Sequence, residues 1–441
     1  MKKKEILREK RMRIRRRGET WYQLDNAANL FPAISNERNT NVFRLSCDLN
    51  ESVDPDFLQQ ALDIAIRDFS FFRVVMRRGL FWHYLEQADL NPRIHLEDNR
   101  PCAALFYRQA KELLFDVTYF GKTINLEMFH VLADGPGGFE LLHAIVYHYL
   151  VLRHRAELPE NLPVLEKTAP PAHMTADSFK HHYDPQNAQS PSHAKAYAIT
   201  GTLLPSNSVQ IISAQMPVKA ILDLARANKV SLTSYLCALM ICSIYTGFMP
   251  KRATKKTIAV NVPVDLRGHF ASESARNFFG VVEVGYNFNG GEADFDAVLE
   301  SVSTQLTQWV NADALAKRMG YTMSVQNNIF TGITPLFLKN LILKGAYHRS
   351  ERATTCAISN LGRITMPEVF VPYIHSFHCL LNPTSLHRVK ATVTSFGDIL
   401  TLNFTSCIEE TQIQRHFLRH LTQQGVDITI TCNGRIGNEA M

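Results

Sequence analysis

The sequence predicts an α/β fold, because strand-like and helix-like apolar patterns are mixed along both halves of the chain. Residues 41–49 are typical of a β-strand, and the segment that follows repeats apolar residues at helical spacing from Phe57 to Phe69. A second series of strands and helices begins near Val209. With 441 residues, of which 46% are hydrophobic and 20% charged, the chain can build two subdomains that each bury a core.

Turn and capping signals place the elements of the first half. Asp54-Pro55 supplies a capping side chain and a proline at the first helical position. Arg77-Arg78-Gly79 and Gly121-Lys122 each separate two β-rich runs, which indicates two hairpins. The predicted order is a strand over 41–49, a helix over 54–69, strands over 71–76, 80–85, 113–120 and 123–130, and a helix over 138–153.

The second half contains the longest apolar stretch, residues 235–248, which Cys242, Ser243 and Thr246 interrupt. Because a membrane span needs roughly 20 apolar residues, this stretch predicts a buried helix and not an integral membrane protein. The other predicted elements are strands near 209 and over 257–264, 280–288, 355–358, 374–381, 389–396 and 399–405, and helices over 219–228, 232–246, 295–310, 335–343 and 412–424.

Composition divides the chain into four parts. Residues 157–207 are rich in Pro, Ser, His and Ala and show no sustained period, apart from one short helix predicted over 176–183. We therefore predict a basic tail over 1–18, an N-terminal subdomain over 19–160, a crossover linker over 161–206 and a C-terminal subdomain over 207–441.

Positive charge is concentrated in the tail. Residues 1–17 hold ten Lys or Arg against two Glu, a net charge of +8, so that the remaining chain is near −2 within the overall +6. The body of the protein therefore lacks the basic character of a nucleic-acid-binding domain. The tail itself is open to two interpretations, a solvated extension or a contact with anionic lipid or RNA.

Cysteine usage and motif content exclude several classes. The eight cysteines form no CxxC pair, and no apolar signal-peptide core follows the basic residues. This pattern is typical of reduced thiols and predicts a cytoplasmic protein. His416 and His420 lack the glutamate of an HExxH motif, so no metal site is predicted. Serine-hydrolase, dinucleotide and phosphate-loop signatures are missing from the sequence.

The strongest candidate site is a histidine at the end of a strand. Strand alternation places Leu126, Met128 and His130 on one face, which should point inward. The glycine-rich segment that starts at Gly135 lets the backbone turn tightly and lets a ligand approach it. Asp134 can hold that turn in shape. A histidine that only satisfies a strand end is the alternative interpretation.

The segment from Met128 to Glu140 resembles the active-site motif of the CoA-dependent acyltransferase superfamily. Chloramphenicol acetyltransferases, alcohol acetyltransferases, polyketide-associated acyltransferases and peptide-synthetase condensation domains belong to this superfamily. The resemblance spans residues 21–430 and includes three further segments. They are Phe71-Phe72-Arg73-Val74-Val75 with Trp82 and Tyr84, then Pro263-Val264-Asp265-Leu266-Arg267 followed by Arg276-Asn277-Phe278-Phe279-Gly280, and finally Ser359-Asn360-Leu361-Gly362.

The resemblance implies a chloramphenicol-acetyltransferase-like fold with two mixed-sheet subdomains and a tunnel between them. It also implies that His130 is the general base, that Asp134 and Gly135 support it, and that Arg267 is the ionic partner of Asp134. Condensation domains usually carry a second histidine where this chain has Phe129. That difference favours acyl-CoA as cosubstrate over a carrier-protein thioester, with no permanently bound cofactor.

The implied reaction suits these residue types. A neutral imidazole can remove a proton from a small alcohol or amine as it attacks the thioester, which is worth about 10²–10⁴ in rate. We expect transfer of an acyl group, for example acetyl, to a hydroxyl acceptor. The donor to the oxyanion is left open among the Gly137 and Gly138 amides and the hydroxyls of Ser359, Thr394 and Ser395.

Two alternatives to this function are also open. One is a condensation-like enzyme that takes its acyl group from a carrier protein. The other is a catalytically silent binding protein that keeps the fold and uses its basic tail to contact partners.

Overall fold

A computed structural model describes residues 21–106, 112–163, 171–184, 194–250, 255–327 and 334–433. Within these ranges the strands form sheets of three, five and seven strands. Helices pack on the two larger sheets, and two separate clusters of buried apolar side chains lie beneath them. The fold is therefore mixed α/β, as the sequence predicts.

The described strands and helices are mixed along the chain. The strands are β1 (Trp21–Gln23), β2 (Val42–Leu49), β3 (Val74–Arg78), β4 (His83–Gln87), β5 (Ile94–Leu96), β6 (Phe115–Phe120), β7 (Thr123–Phe129), β8 (Gln210–Pro217), β9 (Ile258–Asp265), β10 (Phe279–Tyr286), β11 (Cys356–Arg363), β12 (Ile374–Leu381), β13 (Val389–Phe396), β14 (Ile399–Ser406) and β15 (Thr429–Cys432). The helices are α1 (Phe31–Ile34), α2 (Pro55–Asp68), α3 (Gly135–Arg153), α4 (Pro171–Met174), α5 (Ser178–His181), α6 (Val218–Ala227), α7 (Leu232–Gly247), α8 (Phe295–Trp309), α9 (Ala312–Asn327), α10 (Leu336–Glu351) and α11 (Gln412–Gln423).

The five-stranded sheet carries the strand that leads to His130. Its order is β12-β2-β7-β6-β5, so that β7 lies at its centre. Helix α3 packs on β2 and β7, and α2 packs on α3. Leu126 and Met128 are fully buried on β7, which fixes the register of the strand because a slip by one residue would reverse its faces.

The seven-stranded sheet, of order β10-β9-β11-β13-β14-β8-β15, has one apolar and one polar face. Val260, Ile358 and Val393 pack with helix α7 in the second core. The strand register places Ser359 beside Thr392 on the opposite face. Strand alternation therefore turns a row of polar side chains toward the first sheet.

These polar side chains join the two sheets at β12. This strand is the edge of the five-stranded sheet, so its outward carbonyl groups have no strand to pair with. Side chains of β13 and β14 donate to them instead: Thr394 to the carbonyl of Phe377 at 2.6 Å and Thr405 to that of Leu381 at 2.6 Å. The sequence assigns residues 207–441 to the second subdomain, yet β12 completes the first sheet. The subdomain boundaries remain a prediction.

Most elements lie where the sequence predicts them. The helix capped by Asp54 and the hairpin at Gly121-Lys122 are confirmed, and β12 and β13 have the predicted bounds. The turn of the first hairpin is wrongly predicted at residues 77–79. Phe71 and Phe72 are buried in a 3₁₀ turn, so β3 begins only at Val74. The turn of the hairpin follows β3, and in it the Gly79 amide donates to the carbonyl of Trp82 at 2.8 Å.

Three further differences concern helices and short edge strands. Helix α3 begins at Gly135, not at 138, because the Asp134 side chain caps it. Helix α10 runs on to Glu351, beyond the predicted end at 343. Helix α9 and the short strands β1, β5 and β15 carry too little periodic apolar pattern to be predicted.

The thiols of Cys47, Cys102, Cys237, Cys242, Cys356, Cys379 and Cys407 are free in the structure. Among the described residues, no single helix has both the length and the apolar composition of a membrane span. The consecutive pair α6 and α7 meets those criteria jointly, with a bend of 85° between them. Helix α7 is nevertheless buried over most of its length, as the sequence predicts for residues 235–248.

Candidate active site

The candidate active site forms where β7 ends and α3 begins. Phe129 is the last residue of β7, and the His130 amide donates to the carbonyl of Asn41 at 2.9 Å, which continues the pairing with the β2 side by one residue. The chain then turns, and Asp134 becomes the N-cap of α3 by accepting a hydrogen bond from the Gly137 amide at 3.1 Å. His130 is therefore the first residue after the strand, and its backbone is held by one further strand-like hydrogen bond.

Close packing explains the glycines of the motif. A Cβ atom on Gly137 would lie 1.9 Å from the carbonyl oxygen of Ala275, and one on Gly135 would lie 2.6 Å from the side chain of Leu361. Both neighbours belong to the second half of the chain. Because glycine has no side chain, the first turn of α3 can approach the second subdomain closely.

Asp134 and Arg267 connect the two halves behind this turn. The guanidinium group donates to both carboxylate oxygens, at 2.9 and 3.1 Å, in the bidentate geometry of a strong ion pair. Arg267 also donates to the carbonyls of Ser274 and Arg276, at 2.8 and 2.6 Å, and the Phe278 amide donates to Asp134 at 2.8 Å. The structure thus brings together the pair that the resemblance implies.

Aromatic rings surround the imidazole of His130. Phe31 stacks on it at a centroid distance of 4.6 Å, and Phe43 and Phe279 contact it at 5.1 and 5.4 Å. Burial lowers the pKa of His130 below its usual value, although Asp134 and a hydrogen bond oppose the change, while the positive charge of Lys390 adds to it. The lowered pKa favours the neutral form of the imidazole.

Asn277 fixes the tautomer of this imidazole. Its amide nitrogen donates to the His130 carbonyl at 3.0 Å and to Asp25 at 3.1 Å, so its oxygen faces Nδ1 of His130 at 2.9 Å. An oxygen can only accept, so Nδ1 carries the proton and Nε2 the lone pair. No hydrogen-bond partner of Nε2 is found in the described part of the chain, and His130 is a half-buried residue.

Asp25 orients Asn277 by accepting a hydrogen bond from its side-chain amide. This carboxylate is fully buried, accepts from the Ala28 amide at 2.8 Å and lies 3.5 Å from the guanidinium group of Arg276. Burial raises its pKa to about 6, although Arg276 opposes the rise. Asp25, Asn277 and His130 therefore form a continuous hydrogen-bonded series.

The structure separates the five oxyanion-donor candidates. The amides of Gly137 and Gly138 both donate to Asp134, and the hydroxyl of Thr394 donates to β12, so these three groups are already engaged. Ser395 donates to the Gly362 carbonyl at 3.4 Å and lies on the other face of β13 from Thr394. Ser359 lies on the polar face, partly exposed, and no hydrogen bond of its hydroxyl occurs among the described residues.

Sequence reasoning missed two residues of this site. Asn277 stands within a segment that was matched to the superfamily, but nothing in the local pattern distinguishes it from Arg276 or Phe278. Asp25 follows β1 and has no sequence signal, because its side-chain partners Asn277 and Arg276 are about 250 residues away and meet it only in the folded chain. Among described residues, no cluster of His, Cys, Asp or Glu has the arrangement of a metal site.

Comparison with known families agrees with this architecture. A sequence model described as alcohol acetyltransferase matches residues 145–370, which is just over half of the chain. The chain belongs to the alcohol acetyltransferase family, and thus to a family of acyltransferases. The matched range begins after His130 and Asp134, so their roles depend on geometry and not on the match. A search of curated protein sequences finds no match.

Solved structures with the same fold cover nearly the whole chain. F. graminearum TRI101 complexed with ethyl coenzyme A is 12% identical, covers 93% of this chain and 99% of its own, and has a TM-score of 0.62. The trichothecene 15-O-acetyltransferase TRI3 of Fusarium sporotrichioides is 11% identical over 92% of this chain and 94% of its own, with a TM-score of 0.58. Polyketide synthase associated protein 5 of Mycobacterium tuberculosis is 14% identical over 91% and 96%, with a TM-score of 0.56. The fold is thus that of the CoA-dependent acyltransferases.

Proposed function

We propose that this chain transfers an acyl group from acyl-CoA to an alcohol, with Nε2 of His130 as the general base. The observation that carries the proposal is the state of the imidazole: Asn277 accepts from Nδ1, and the lone pair on Nε2 has no hydrogen-bond partner among the described residues. The alcohol acetyltransferase family match supports the reaction type. The complex of TRI101 with ethyl coenzyme A supports CoA as the carrier of the acyl group.

The reaction needs one base and no covalent acyl-enzyme. Nε2 accepts the hydroxyl proton as the alcohol oxygen attacks the thioester carbonyl, which forms a C–O bond and an oxyanion. The carbon–sulfur bond then breaks, and the imidazolium returns the proton to the leaving thiolate. The products are the ester and free CoA.

The rings around His130 favour this role. Phe31, Phe43 and Phe279 pack around the imidazole, and this burial disfavours its protonated form. A neutral base at pH 7 is the form that can remove a proton.

Ser359 is the proposed donor to the oxyanion. Its hydroxyl has no partner in the described chain and lies on the sheet face turned toward the His130 subdomain. A donor aimed at the developing charge is typically worth about 10²–10³ in kcat.

Release of CoA thiol tests the proposal directly. The full chain is supplied with acetyl-CoA and a panel of alcohols, and the thiol is titrated as it forms. His130→Ala should abolish alcohol-dependent release, whereas His375→Ala, at an exposed histidine on β12, should not. Undiminished turnover in His130→Ala refutes the proposal. Turnover only with an acyl carrier protein indicates the condensation-like alternative, and binding of acyl-CoA without turnover indicates the silent one.

A further inference from the structure

Helix α10 and the β3–β4 hairpin expose a patch of large apolar side chains. Soluble proteins scatter such residues singly, and a contiguous group of them marks an interaction surface. The loop residues Leu80 and Phe81 are joined to the helix by two hydrogen bonds, from the Leu336 amide to the Leu80 carbonyl at 3.0 Å and from Lys339 Nζ to the Phe81 carbonyl at 2.8 Å. We name this surface the α10–hairpin patch; its members are Leu80 (74% exposed), Phe81 (38%), Phe337 (62%), Leu338 (42%), Leu341 (67%) and Ile342 (65%).

Cations surround the patch. Arg78 is exposed beside Leu80, and Lys344 and Arg349 are exposed on the last turns of α10. Helical spacing places Lys344 on the same side as Phe337 and Leu341. The one acidic residue of α10, Glu351, accepts a hydrogen bond from Tyr347 and lies 3.1 Å from His387. The exposed side of the helix is thus apolar at its start and cationic at its end.

A cavity of about 270 Å³ opens beside the patch, between α1, the hairpin and α10. Its walls combine apolar side chains with cationic side chains that lie beside the patch. The apolar lining includes Met76, Phe106, Phe337 and Leu341. The cations that face the cavity are Arg78 and Lys344, which are exposed, whereas Arg77 is paired with Glu86. This combination suits a molecule with an apolar chain and an anionic head.

Charge decides between the possible occupants. A second copy of the chain would present the same patch in a symmetric contact, and the apolar members of that patch would supply no carboxylate to pair with Lys344 and Arg349. The basic tail, with its ten Lys and Arg in residues 1–17, would likewise add positive charge to a positive rim. An anionic lipid surface buries the apolar side chains and pairs the cations at once.

We propose that the α10–hairpin patch docks on the surface of an anionic phospholipid bilayer. Phe337, Leu341 and their neighbours insert at the level of the headgroups, and Arg78, Lys344 and Arg349 contact the phosphates. This docking is peripheral and does not depend on acyl transfer, so the failure of either proposal leaves the other intact.

Vesicle flotation with the full chain tests the apolar part of the surface. The vesicles contain phosphatidylcholine with roughly 30% phosphatidylserine, and binding is measured at low salt and at about 0.5 M salt, where attraction of the tail is screened but insertion is not. Phe337→Ser/Leu341→Ser should weaken binding at high salt about tenfold. The matched control is Phe120→Ser/Ile430→Ser, at residues that are 64% and 53% exposed outside the patch; this variant should bind like the wild type.

Charge reversal tests the cationic part. Lys344→Glu/Arg349→Glu should weaken binding to the anionic vesicles about tenfold and leave binding to pure phosphatidylcholine unchanged. Lys255→Glu/Lys256→Glu, at exposed lysines before β9, is the matched control. The proposal is overturned if both patch variants float with the vesicles as the wild type does. It is also overturned if the control variants lose as much vesicle binding as the patch variants. A wild-type dimer that Phe337→Ser/Leu341→Ser dissociates, without flotation, also overturns it and identifies a second copy as the partner.

Discussion

Asn277 holds His130 at two points: it accepts from Nδ1 of the imidazole at 2.9 Å and donates to the carbonyl oxygen of the same residue at 3.0 Å. Side chain and backbone of the histidine are therefore fixed together by one amide. The buried carboxylate of Asp25 orients that amide in turn. This arrangement is comparable to a base with an orienting partner, in which the partner sets the tautomer without touching the substrate.

Replacement of Asn277 should therefore affect the rate through His130. We expect Asn277→Ala to lower kcat about 10- to 100-fold, which corresponds to the loss of about 1.4–2.8 kcal/mol of hydrogen bonding. Because the lost bond favours the protonated imidazole, the acid limb of the pH–rate profile should also move to lower pH. Asn125→Ala, at an amide of similar burial on β7, should keep the wild-type profile. An unchanged profile in Asn277→Ala contradicts the positioning role.

The pH dependence of kcat/KM should report the lowered pKa of His130. An imidazole of ordinary pKa is half protonated at pH 6.5, but burial among the aromatic rings disfavours the charged form. Activity should thus persist below pH 6.5 and fall with a midpoint on the acid side of that value. The measurement is initial rate against pH at limiting substrate. A midpoint above pH 6.5 would show that the ring is better solvated than the structure indicates.

The ion pair of Asp134 and Arg267 should contribute to stability as well as activity. Asp134→Asn leaves the guanidinium group with an uncharged partner where its side chain is only 15% exposed, and we expect a loss of about 3–5 kcal/mol in the free energy of unfolding. Asp265, the other partner of Arg267, is 43% exposed, so Asp265→Asn should cost less than about 1 kcal/mol. Urea unfolding measures both. Equal losses would mean that burial does not distinguish the two pairs.

Gly137 should tolerate no side chain. Gly137→Ala would place Cβ 1.9 Å from the Ala275 carbonyl oxygen, so the contact between the subdomains must open; we expect a loss of more than about 3 kcal/mol or insoluble protein. Gly345→Ala is the control, since its Cβ would meet nothing within 4 Å on α10. That change should raise the stability by about 0.5–1 kcal/mol. Differential scanning calorimetry measures the Tm of both variants. A wild-type Tm for Gly137→Ala would contradict the prediction.

Ser359 should matter for the chemical step and Ser395 should not. We expect Ser359→Ala to lower kcat about 10²–10³-fold with little change in KM, because the lost bond forms only to the oxyanion. Ser395→Ala should leave kcat unchanged, since its hydroxyl donates to the Gly362 carbonyl. Steady-state kinetics on the two variants separate them. The reverse ranking would move the oxyanion donor to Ser395.

The sequence alone predicted the α/β class, most helices and strands, and His130 with its glycine-rich turn. These features have local causes. Periodicity reflects which face an element buries, and a proline or glycine changes the backbone of its own neighbourhood. The pairing of Asp134 with Arg267 came from resemblance to a superfamily and not from periodicity or spacing.

Only the tertiary structure could decide the partners of the imidazole and the joint between the sheets. Asp25, Asn277 and His130 lie in three distant parts of the chain, and their hydrogen bonds depend on how two subdomains dock. The same holds for Thr394. Its hydroxyl is a chemically suitable oxyanion donor, but in the folded chain it donates to a backbone carbonyl of the edge strand β12. A hydroxyl or amide binds the nearest unpaired group, and which group is nearest is fixed by the packing of the sheets and not by the order of residues.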